Sequence, residues 1–249
     1  MSSIECLDRR VASAFYGSFT TLRPVQEAAI EPLVKGQNIV LSSGTGSGKT
    51  EAVLAPLLSR YWRKAVTTEA LIMIYIAPTK ALVNDLEKRL YPPLDKLGLR
   101  VGIRHGDRDD LVSGQTPHVL LTTPESLEVL LFRKDATLQT VCAVVIDEVH
   151  LLYNTQRGLQ LSVLLQRLQQ SLGQELQWAA LSATVGRLSD VRDFLFGSAA
   201  SAEFLQFPAH RSIDAHVRHI ADEASFLKLI CKLTEGRQTK LLIFTNSRR

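Results

Sequence analysis

Short apolar runs alternate along this chain with segments in which apolar residues recur every three to four positions. A continuous apolar run of four to six residues is typical of a strand buried on both faces of a parallel sheet, whereas the longer period is typical of a helix. The predicted strands cover residues 38–41, 71–76, 99–105, 119–121, 141–146, 178–181 and 203–207. Because helical segments separate them, the pattern predicts an α/β fold with a doubly wound, mainly parallel sheet and helices on both faces.

The helices predicted by this periodicity cover residues 4–16, 24–35, 49–62, 81–90, 127–131, 158–173 and 189–196. Pro92-Pro93 is expected to interrupt the fourth of them. After residue 208 the pattern changes to a loosely alternating stretch, a helix and a strand, over 213–220, 223–235 and 240–244. We therefore predict a first domain over residues 1–208, followed over 209–249 by a linker and the truncated beginning of a second domain.

The amino-acid composition excludes few classes of protein. The 249 residues are 45% hydrophobic and 22% charged, which is ordinary for a globular protein, and the net charge of +4 permits a nucleic-acid partner without demonstrating one. The longest apolar run, residues 70–77, is too short to cross a bilayer, so we expect no membrane partner. The first residues lack the features of a signal peptide, and Cys6, Cys142 and Cys231 are widely spaced. Both observations predict a cytoplasmic protein with reduced thiols.

A glycine-rich turn links the first predicted strand to a helix and has the spacing of a phosphate-binding P-loop. Its residues are Ser43, Gly44, Thr45, Gly46, Ser47, Gly48, Lys49 and Thr50. Glycine permits positive φ angles, so that successive N–H groups can surround a phosphate at the positive end of the helix dipole. Lys49 is predicted to reach the β- and γ-phosphates of ATP and Thr50 to bind Mg²⁺. The first position is Ser43 instead of glycine, and the alternative is a glycine-rich turn without a ligand.

A pair of carboxylates, Asp147 and Glu148, directly follows the predicted strand 141–146. Two adjacent carboxylates at a buried strand end repel each other unless a cation is present. We therefore expect Asp147 to hold Mg²⁺ opposite Thr50 and Glu148 to orient and deprotonate the attacking water. The alternative is a solvated acidic pair in a loop.

Two further residues are candidates for the nucleotide site with weaker support. Gln26 lies twelve residues before the first predicted strand, and its amide carries a donor and an acceptor that could read the edge of adenine. On its own, a helical glutamine is more often solvated. His150 either connects the hydrolytic residues to Ser182 and Thr184 by hydrogen bonds or caps its own loop.

Other polar motifs also come directly after predicted strands, where ligands bind in doubly wound sheets. They are Pro78, Thr79 and Lys80; Gly106 and Asp107; Thr123, Pro124, Glu125 and Ser126; and Ser182, Ala183 and Thr184. A lysine, hydroxyl groups and backbone N–H groups at such positions can bind phosphate oxygens without reading a base sequence. The alternative for the threonine and serine residues is helix capping, and for Ser182 to Thr184 a simple turn.

Taken together, Gln26, the P-loop, APTKAL, the Gly106-Asp107 turn, TTPESL, DEVH and LSATV resemble the first motor domain of superfamily 2 helicases. The sequences TTPESLEVLL and LSATV, with DEVH followed by Arg157-Gly158, look most like the large helicase-related (Lhr) family of DNA helicases. The likeness covers residues 15–249. It implies a RecA-like fold, ATP-driven movement in the 3′→5′ direction, and contact between the motifs after residues 77 and 122 and the nucleic-acid backbone. It also implies that Ser182 to Thr184 couple the ATP state to grip on the strand.

We therefore expect the N-terminal ATP-binding lobe of a helicase or translocase that uses ATP and Mg²⁺, with single-stranded or tailed duplex DNA favoured over RNA. Because the second lobe would be truncated, we expect low activity from this piece and a protein partner that supplies the missing lobe. The alternative is a nucleotide-regulated, nucleic-acid-binding subunit of a larger repair or defence complex, without unwinding activity. The intact set of Lys49, Thr50, Asp147 and Glu148 favours catalysis.

Overall fold

The computed structural model describes residues 3–19, 21–113, 115–183, 186–208, 217, 219–220, 222–234 and 243. The chain divides into two compact units, Met1–His210 and Arg211–Arg249. The first unit contains a complete sheet with helices packed against it. In the second unit the structure describes the helix α8 (Glu223–Thr234), close to its predicted bounds. The predicted strand 240–244 lies outside the described residues, apart from Ile243.

Within the part of the first unit that the structure describes, the sheet has eight strands in the order β4-β3-β5-β2-β6-β7-β1-β8. Their bounds are β1 Ile39–Ser42, β2 Met73–Ile76, β3 Val101–His105, β4 Arg108–Asp109, β5 Val119–Thr122, β6 Ala143–Ile146, β7 Gln177–Ser182 and β8 Glu203–Gln206. Every neighbouring pair is parallel except β3 and β4, which are antiparallel. The prediction of a mainly parallel sheet is confirmed. The strand β4 was not predicted, because a strand of two residues has no periodicity of its own.

Among the described residues, seven α-helices cover the two faces of this sheet. They are α1 Arg9–Tyr16, α2 Pro24–Val34, α3 Lys49–Thr68, α4 Lys80–Lys96, α5 Pro124–Phe132, α6 Gln156–Ser171 and α7 Leu188–Phe196. The buried residues of α1 to α4 share one apolar layer with Tyr75, whereas those of α5 to α7 share the other with Ile74 and Ile76. Successive residues of β2 thus point to opposite faces, as expected of a strand between two helical layers.

Several predicted helix boundaries differ from the structure; α3, for example, ends at Thr68 and not at residue 62. The helix α4 continues through Pro92 and Pro93, although neither residue has an N–H for the helical ladder. Leu90 and Leu94 are buried on either side of the prolines, and their packing holds this turn in place. The predicted helix 4–16 is divided, because the side chain of Asp8 accepts the Arg10 N–H at 2.9 Å and starts α1 there.

None of the described helices combines the length and the apolar character needed to cross a membrane.

A close contact between α6 and the loop before it yields a testable prediction. A Cβ atom on Gly158 would lie 2.0 Å from the carbonyl oxygen of Leu152 and 3.0 Å from the ring of Phe194. Gly158→Ala is therefore expected to lower the free energy of unfolding by about 1–3 kcal/mol, measured by urea denaturation. At Gly173 no atom lies within 4 Å of such a Cβ, so Gly173→Ala is the matched control. Equal stability of the two variants would contradict the prediction.

Candidate active site

The parallel strands end at one edge of the sheet, and six of these described strand ends are followed by one of the motifs singled out in the sequence. The P-loop follows β1, and residues 77–80, 106–107 and 123–126 follow β2, β3 and β5. Residues 147–150 follow β6 and residues 183–184 follow β7. The topology therefore brings the predicted nucleotide-binding and nucleic-acid-binding residues to the same side of the domain.

The P-loop has the backbone that its glycines permit, with one difference from the expectation. Gly46 and Gly48 have φ angles of +73° and +89°, in the left-handed region, but Gly44 does not adopt a positive φ. Only two of the three glycines are thus required for their conformational freedom. Ser43, which occupies the usual first glycine position, is buried, and its N–H donates to the carbonyl of Ser182 at 3.1 Å.

Lys49 lies at the first residue of α3 and is buried against the loop. Its Nζ donates to the carbonyl oxygens of Ser43 and Gly44 at 2.6 and 3.1 Å. Burial lowers the pKa of Lys49, while the carboxylates of Glu148 and Asp147 oppose this effect. The cationic end is therefore fixed beside the loop N–H groups, where an anionic ligand would meet it. Within the described residues, the buried hydroxyl of Ser47 has no hydrogen-bond partner, and a phosphate oxygen would provide one.

Asp147 is held by a residue that the sequence analysis did not single out. The hydroxyl of the fully buried Tyr75 donates to Asp147 Oδ2 at 2.7 Å, and the backbone N–H of Glu148 donates to Oδ1 at 2.8 Å. Burial raises the pKa of Tyr75 well above its usual value, and the Thr50 hydroxyl is among the groups that oppose this shift, so Tyr75 is close to both predicted Mg²⁺ ligands. Burial raises the pKa of Asp147, although the hydrogen bond from Tyr75 opposes this shift.

Glu148 occupies a backbone conformation that is uncommon for its residue type. Its φ of +46° lies in the left-handed region, a kind of strain that persists where the surrounding structure enforces it. Burial and the neighbouring Asp147 carboxylate both raise the pKa of Glu148. A carboxylate whose pKa is raised by its surroundings is a better proton acceptor than an ordinary one, which suits a general base.

His150 connects this carboxylate to the end of β7. Its Nδ1 lies 3.2 Å from Glu148 Oε2, 3.3 Å from the Ser182 hydroxyl and 3.3 Å from the Ala183 N–H. The structure thus brings together His150 and Ser182, as the coupling hypothesis requires. Thr184, the third residue of that hypothesis, lies outside the described residues.

Two adjoining cavities border the P-loop. One, of about 260 Å³, is lined by Thr45, Gly46, Gly48, Lys49, Thr50, Leu82, Asp85, Leu86, Arg89, Asp147 and Glu148. The other, of about 400 Å³, is lined by Ala14, Phe15, Phe19, Thr21, Arg23, Gln26, Gly46, Gly48, Glu51, Arg89, Leu90 and Pro93. The first has the charged groups suited to a polyphosphate and Mg²⁺, whereas the second combines aromatic and polar groups. Arg89 borders both cavities and is paired with Glu51 at 3.0 Å.

Gln26 reaches the second cavity, but its amide is not free on both sides. Its Oε1 accepts the backbone N–H of Arg23 at 2.9 Å, which caps α2. Its Nε2 faces the loop, since a Cβ on Gly48 would lie 2.8 Å from it. Arg23 in turn donates to the carbonyl of Gly46. Helix capping thus fixes this part of the site. Because Gln26 Oε1 is already bonded, the predicted contact with adenine would use the amide donor Nε2.

The predicted nucleic-acid contacts after β2 and β3 are paired with each other. The Nζ of Lys80 lies 2.8 Å from both carboxylate oxygens of Asp107, and both side chains are exposed. The hydroxyl of Thr79 accepts the Leu82 N–H at 3.3 Å, so the capping alternative holds for Thr79. Gly106 is exposed beside Lys80, whereas Pro78 is buried under the loop.

The segment after β5 is organised differently. Thr123 is the N-cap residue of α5 by its backbone, but its hydroxyl does not cap the helix. Pro124 and Ser126 are buried, and the Ser126 hydroxyl lies 3.5 Å from that of Thr123. Glu125 is exposed and pairs with Arg157 at 2.7 Å.

The model of the DEAD/DEAH box helicase family matches residues 23–193. The chain belongs to the DEAD/DEAH box helicase family. It is 36% identical over 215 residues to the ATP-dependent helicase Lhr-Core of Methanothermobacter thermautotrophicus, an alignment that covers 78% of this chain and 25% of that protein.

Other Lhr helicases are also similar to this chain, in sequence and in structure. Lhr-Core of Saccharolobus solfataricus is 31% identical, over 96% of this chain and 30% of its own length. The structure of the Mycobacterium smegmatis helicase Lhr bound to ssDNA and AMP-PNP has a TM-score of 0.77 and 28% identity, over 94% of this chain and 33% of that one. The RecA-like fold predicted from the resemblance is confirmed. The chain spans a quarter to a third of the length of these relatives.

Four residues of this helicase domain escaped the sequence analysis as site residues, namely Arg23, Tyr75, Arg89 and Arg157. Tyr75 interrupts an aliphatic strand, which was the available signal for a buried polar role. Arg157 was noted only for its resemblance to a family pattern. Arg23 directly precedes α2 and Arg89 lies on α4 among other charged residues, and nothing in the local pattern separates either of them from solvated arginines.

The role of Tyr75 can be tested by removing its hydroxyl. Tyr75→Phe leaves a buried carboxylate with one donor fewer, so we expect a loss of about 1–3 kcal/mol in the free energy of unfolding. The measurement is chemical denaturation near neutral pH. Tyr61 donates at 3.0 Å to the neutral amide of Gln177, and Tyr61→Phe is therefore the control, with a smaller expected loss. A loss at Tyr75 no larger than that at Tyr61 would show that Asp147 does not depend on the phenol.

The carboxylate pair predicts an unusual effect of pH on stability. Since folding raises the pKa of Glu148, its protonated form favours the folded state, and this contribution is lost as the pH rises through the folded pKa. Glu148→Gln removes the charge, so without nucleotide or Mg²⁺ the variant should melt at a higher temperature than the parent at pH 7. The difference should shrink as the pH falls. The exposed Glu175→Gln is the control, and a variant that melts lower than the parent at pH 7 would contradict the prediction.

Proposed function

We propose that this chain is the ATP-binding lobe of a helicase or translocase motor that acts on nucleic acid, with DNA favoured over RNA. The observation that carries the proposal is the convergence of Lys49, Asp147 and Glu148 on one cavity beside the P-loop. A structural role alone does not account for two carboxylates of raised pKa next to a buried lysine. The names of the relatives support the same activity.

In this proposal ATP occupies both cavities, with its phosphates at the P-loop and its base beside Arg23 and Gln26. Lys49 exchanges its bonds to the Ser43 and Gly44 carbonyls for bonds to phosphate oxygens. Thr50 and Asp147 are the residues that would hold Mg²⁺. One carboxylate and one hydroxyl suit this ion, because Mg²⁺ usually takes its remaining ligands from substrate phosphates and water. When bound, Mg²⁺ neutralises charge that develops between the β- and γ-phosphates.

Glu148 is the proposed general base. Its raised pKa increases its affinity for a proton from the attacking water, and its backbone is held in the left-handed region. His150 contacts both Glu148 and Ser182, which provides a short path between the hydrolytic residue and the end of β7. We propose that these contacts couple ATP hydrolysis to movement along the nucleic-acid strand.

The nucleic-acid strand is proposed to lie along residues 78–80, 106–107 and 123–126, at the edge of the sheet that also carries the nucleotide site. Hydroxyl and N–H groups there suit contacts to the backbone of a single strand. The preference for DNA is supported by the structure of the mycobacterial relative, which is bound to ssDNA.

The remaining parts of the proposal concern the rest of the machine. We propose that residues 209–249 begin a second RecA-like domain, which is supported by an alignment over 96% of this chain with a longer helicase. A complete motor closes two such lobes on one ATP, so the proposed activity requires a complete second lobe, whichever polypeptide supplies it. A cytoplasmic location belongs to the same proposal.

The proposal is tested first by nucleotide binding. Lys49→Ala removes charge-assisted bonds of about 1.5–3 kcal/mol each, so a fluorescent ATP analogue should bind at least roughly tenfold more weakly to the variant in a Mg²⁺-containing titration. Lys88→Ala, an exposed lysine on α4, is the charge-matched control and should bind like the parent. Equal affinity of the parent and Lys49→Ala would remove the P-loop assignment.

Nucleic-acid binding is tested separately by fluorescence anisotropy with labelled oligo-dT, mixed-sequence DNA and oligo-U. We expect weak, salt-sensitive binding with little preference among DNA sequences, because the proposed contacts are to phosphates. Tighter binding of oligo-U than of oligo-dT would reverse the choice of DNA. Strong discrimination among DNA sequences would contradict the backbone-contact model.

A further inference from the structure

Arg157, at the start of α6, joins two loops of the proposed nucleic-acid path. Its Nε donates to Glu125 Oε1 at 2.7 Å, and another guanidinium nitrogen donates to the carbonyl oxygen of Pro78 at 2.7 Å. Pro78 follows β2 and Glu125 follows β5, whereas Arg157 itself comes ten residues after Asp147, the residue that follows β6. One planar side chain thus connects segments from three strands.

The position of Arg157 is fixed by the loop that carries the hydrolytic residues. The hydroxyl of Thr155 donates to the Leu152 carbonyl at 2.7 Å and accepts the Gly158 N–H at 3.1 Å. Gly158 packs so closely on the same carbonyl that any side chain there would collide with it. Val149 and Leu152 are fully buried. The backbone from Glu148 to Gly158 is therefore one compact unit, with the general base at one end and Arg157 at the other.

A second contact joins α6 to α5, the helix that carries Glu125. Gln160, one turn further along α6, donates to Glu128 of α5 at 2.6 Å. Pro78 immediately precedes Thr79, the N-cap of α4, and Glu125 lies in the first turn of α5. Arg157 consequently holds the N-terminal ends of α4 and α5 in a fixed relation, and these ends carry the N–H groups proposed to face the strand.

We propose that Arg157 is a positioning residue for nucleic-acid binding, one that aligns the Pro78 and Glu125 loops and links both to the DEVH segment. The inference rests on the proposed function. A direct phosphate contact is the other use of an exposed arginine, but both observed bonds are made within the protein. The pair with Glu125 also neutralises a carboxylate that would otherwise repel the strand.

The test compares Arg157→Ala and Arg157→Lys with Arg167→Ala, an exposed arginine on the same helix. The first readout is amide hydrogen exchange. Val83 and Leu127 donate to the carbonyls of Thr79 and Thr123 at 3.1 Å, and therefore report on the first turns of α4 and α5. In Arg157→Ala their exchange should accelerate, while that of Ala52 at the P-loop stays unchanged. Unchanged exchange at both reporters would overturn the inference, and acceleration everywhere would reveal a general loss of stability instead.

The second readout is affinity for labelled oligo-dT at several salt concentrations. Arg157→Ala should bind several-fold more weakly with the same salt dependence, because an arginine already paired with Glu125 releases no counterion. The affinity of Arg157→Lys for oligo-dT should lie between those of the parent and Arg157→Ala. An ammonium group can keep one of the two hydrogen-bond partners but lacks the planar guanidinium that bonds both. Loss of about 0.7 in the salt slope would identify a direct phosphate contact and overturn positioning.

Two further comparisons separate this inference from the proposed function. Affinity for the ATP analogue should be the same in the parent, Arg157→Ala and Arg167→Ala. If the parent binds neither nucleotide nor oligo-dT, the proposed function fails, while hydrogen exchange still decides whether Arg157 positions the loops. If the parent binds both and Arg157→Ala matches it in all readouts, the inference alone fails.

Discussion

The parallel direction of the central strands determines what this domain can do. Each of β1, β2, β5, β6 and β7 pairs in parallel with its neighbours, so their carboxyl ends meet at one edge. Parallel strands require crossover connections, and the helices that form them bury both faces of the sheet. The edge is left as the place where polar side chains from distant parts of the sequence can gather. The nucleotide residues and the proposed nucleic-acid residues are neighbours for this reason.

Gathering these groups has an electrostatic cost, and the structure contains specific responses to it. Asp147 and Glu148 raise each other's free energy when both are charged, and Lys49 supplies the opposing cation. Tyr75 adds a hydrogen bond to Asp147 from a layer that is otherwise apolar. The arrangement is less stable without a cation or a phosphate than with one. Such a site is therefore prepared for a charged ligand, because the ligand relieves an unfavourable interaction that folding has created.

The sequence allowed the sheet, its helices and the principal polar motifs to be predicted, since each depends on spacing within a short segment. The P-loop and the Asp147-Glu148 pair are of this kind. The contacts of Tyr75 and Arg157 were not predictable, because they depend on which strands are neighbours. Asp147 lies 72 residues after Tyr75 in the sequence, and the two meet only because β2 pairs with β6. Likewise, the continuation of α4 through two prolines depends on the burial of Leu90 and Leu94, which local propensity does not include.

Cations near the proposed strand path are already paired, and this constrains how the domain grips nucleic acid. Lys80 is bonded to Asp107, and Arg157 is bonded to Glu125. An exposed ion pair such as Lys80–Asp107 contributes little to stability, so Lys80 can exchange partners at small cost. Each exchange nevertheless leaves a carboxylate near the phosphates, which offsets part of the attraction. Net affinity must then come largely from N–H and hydroxyl groups at the ends of α4 and α5. Such groups contact any backbone equally, and a motor that moves along a strand requires this indifference to sequence.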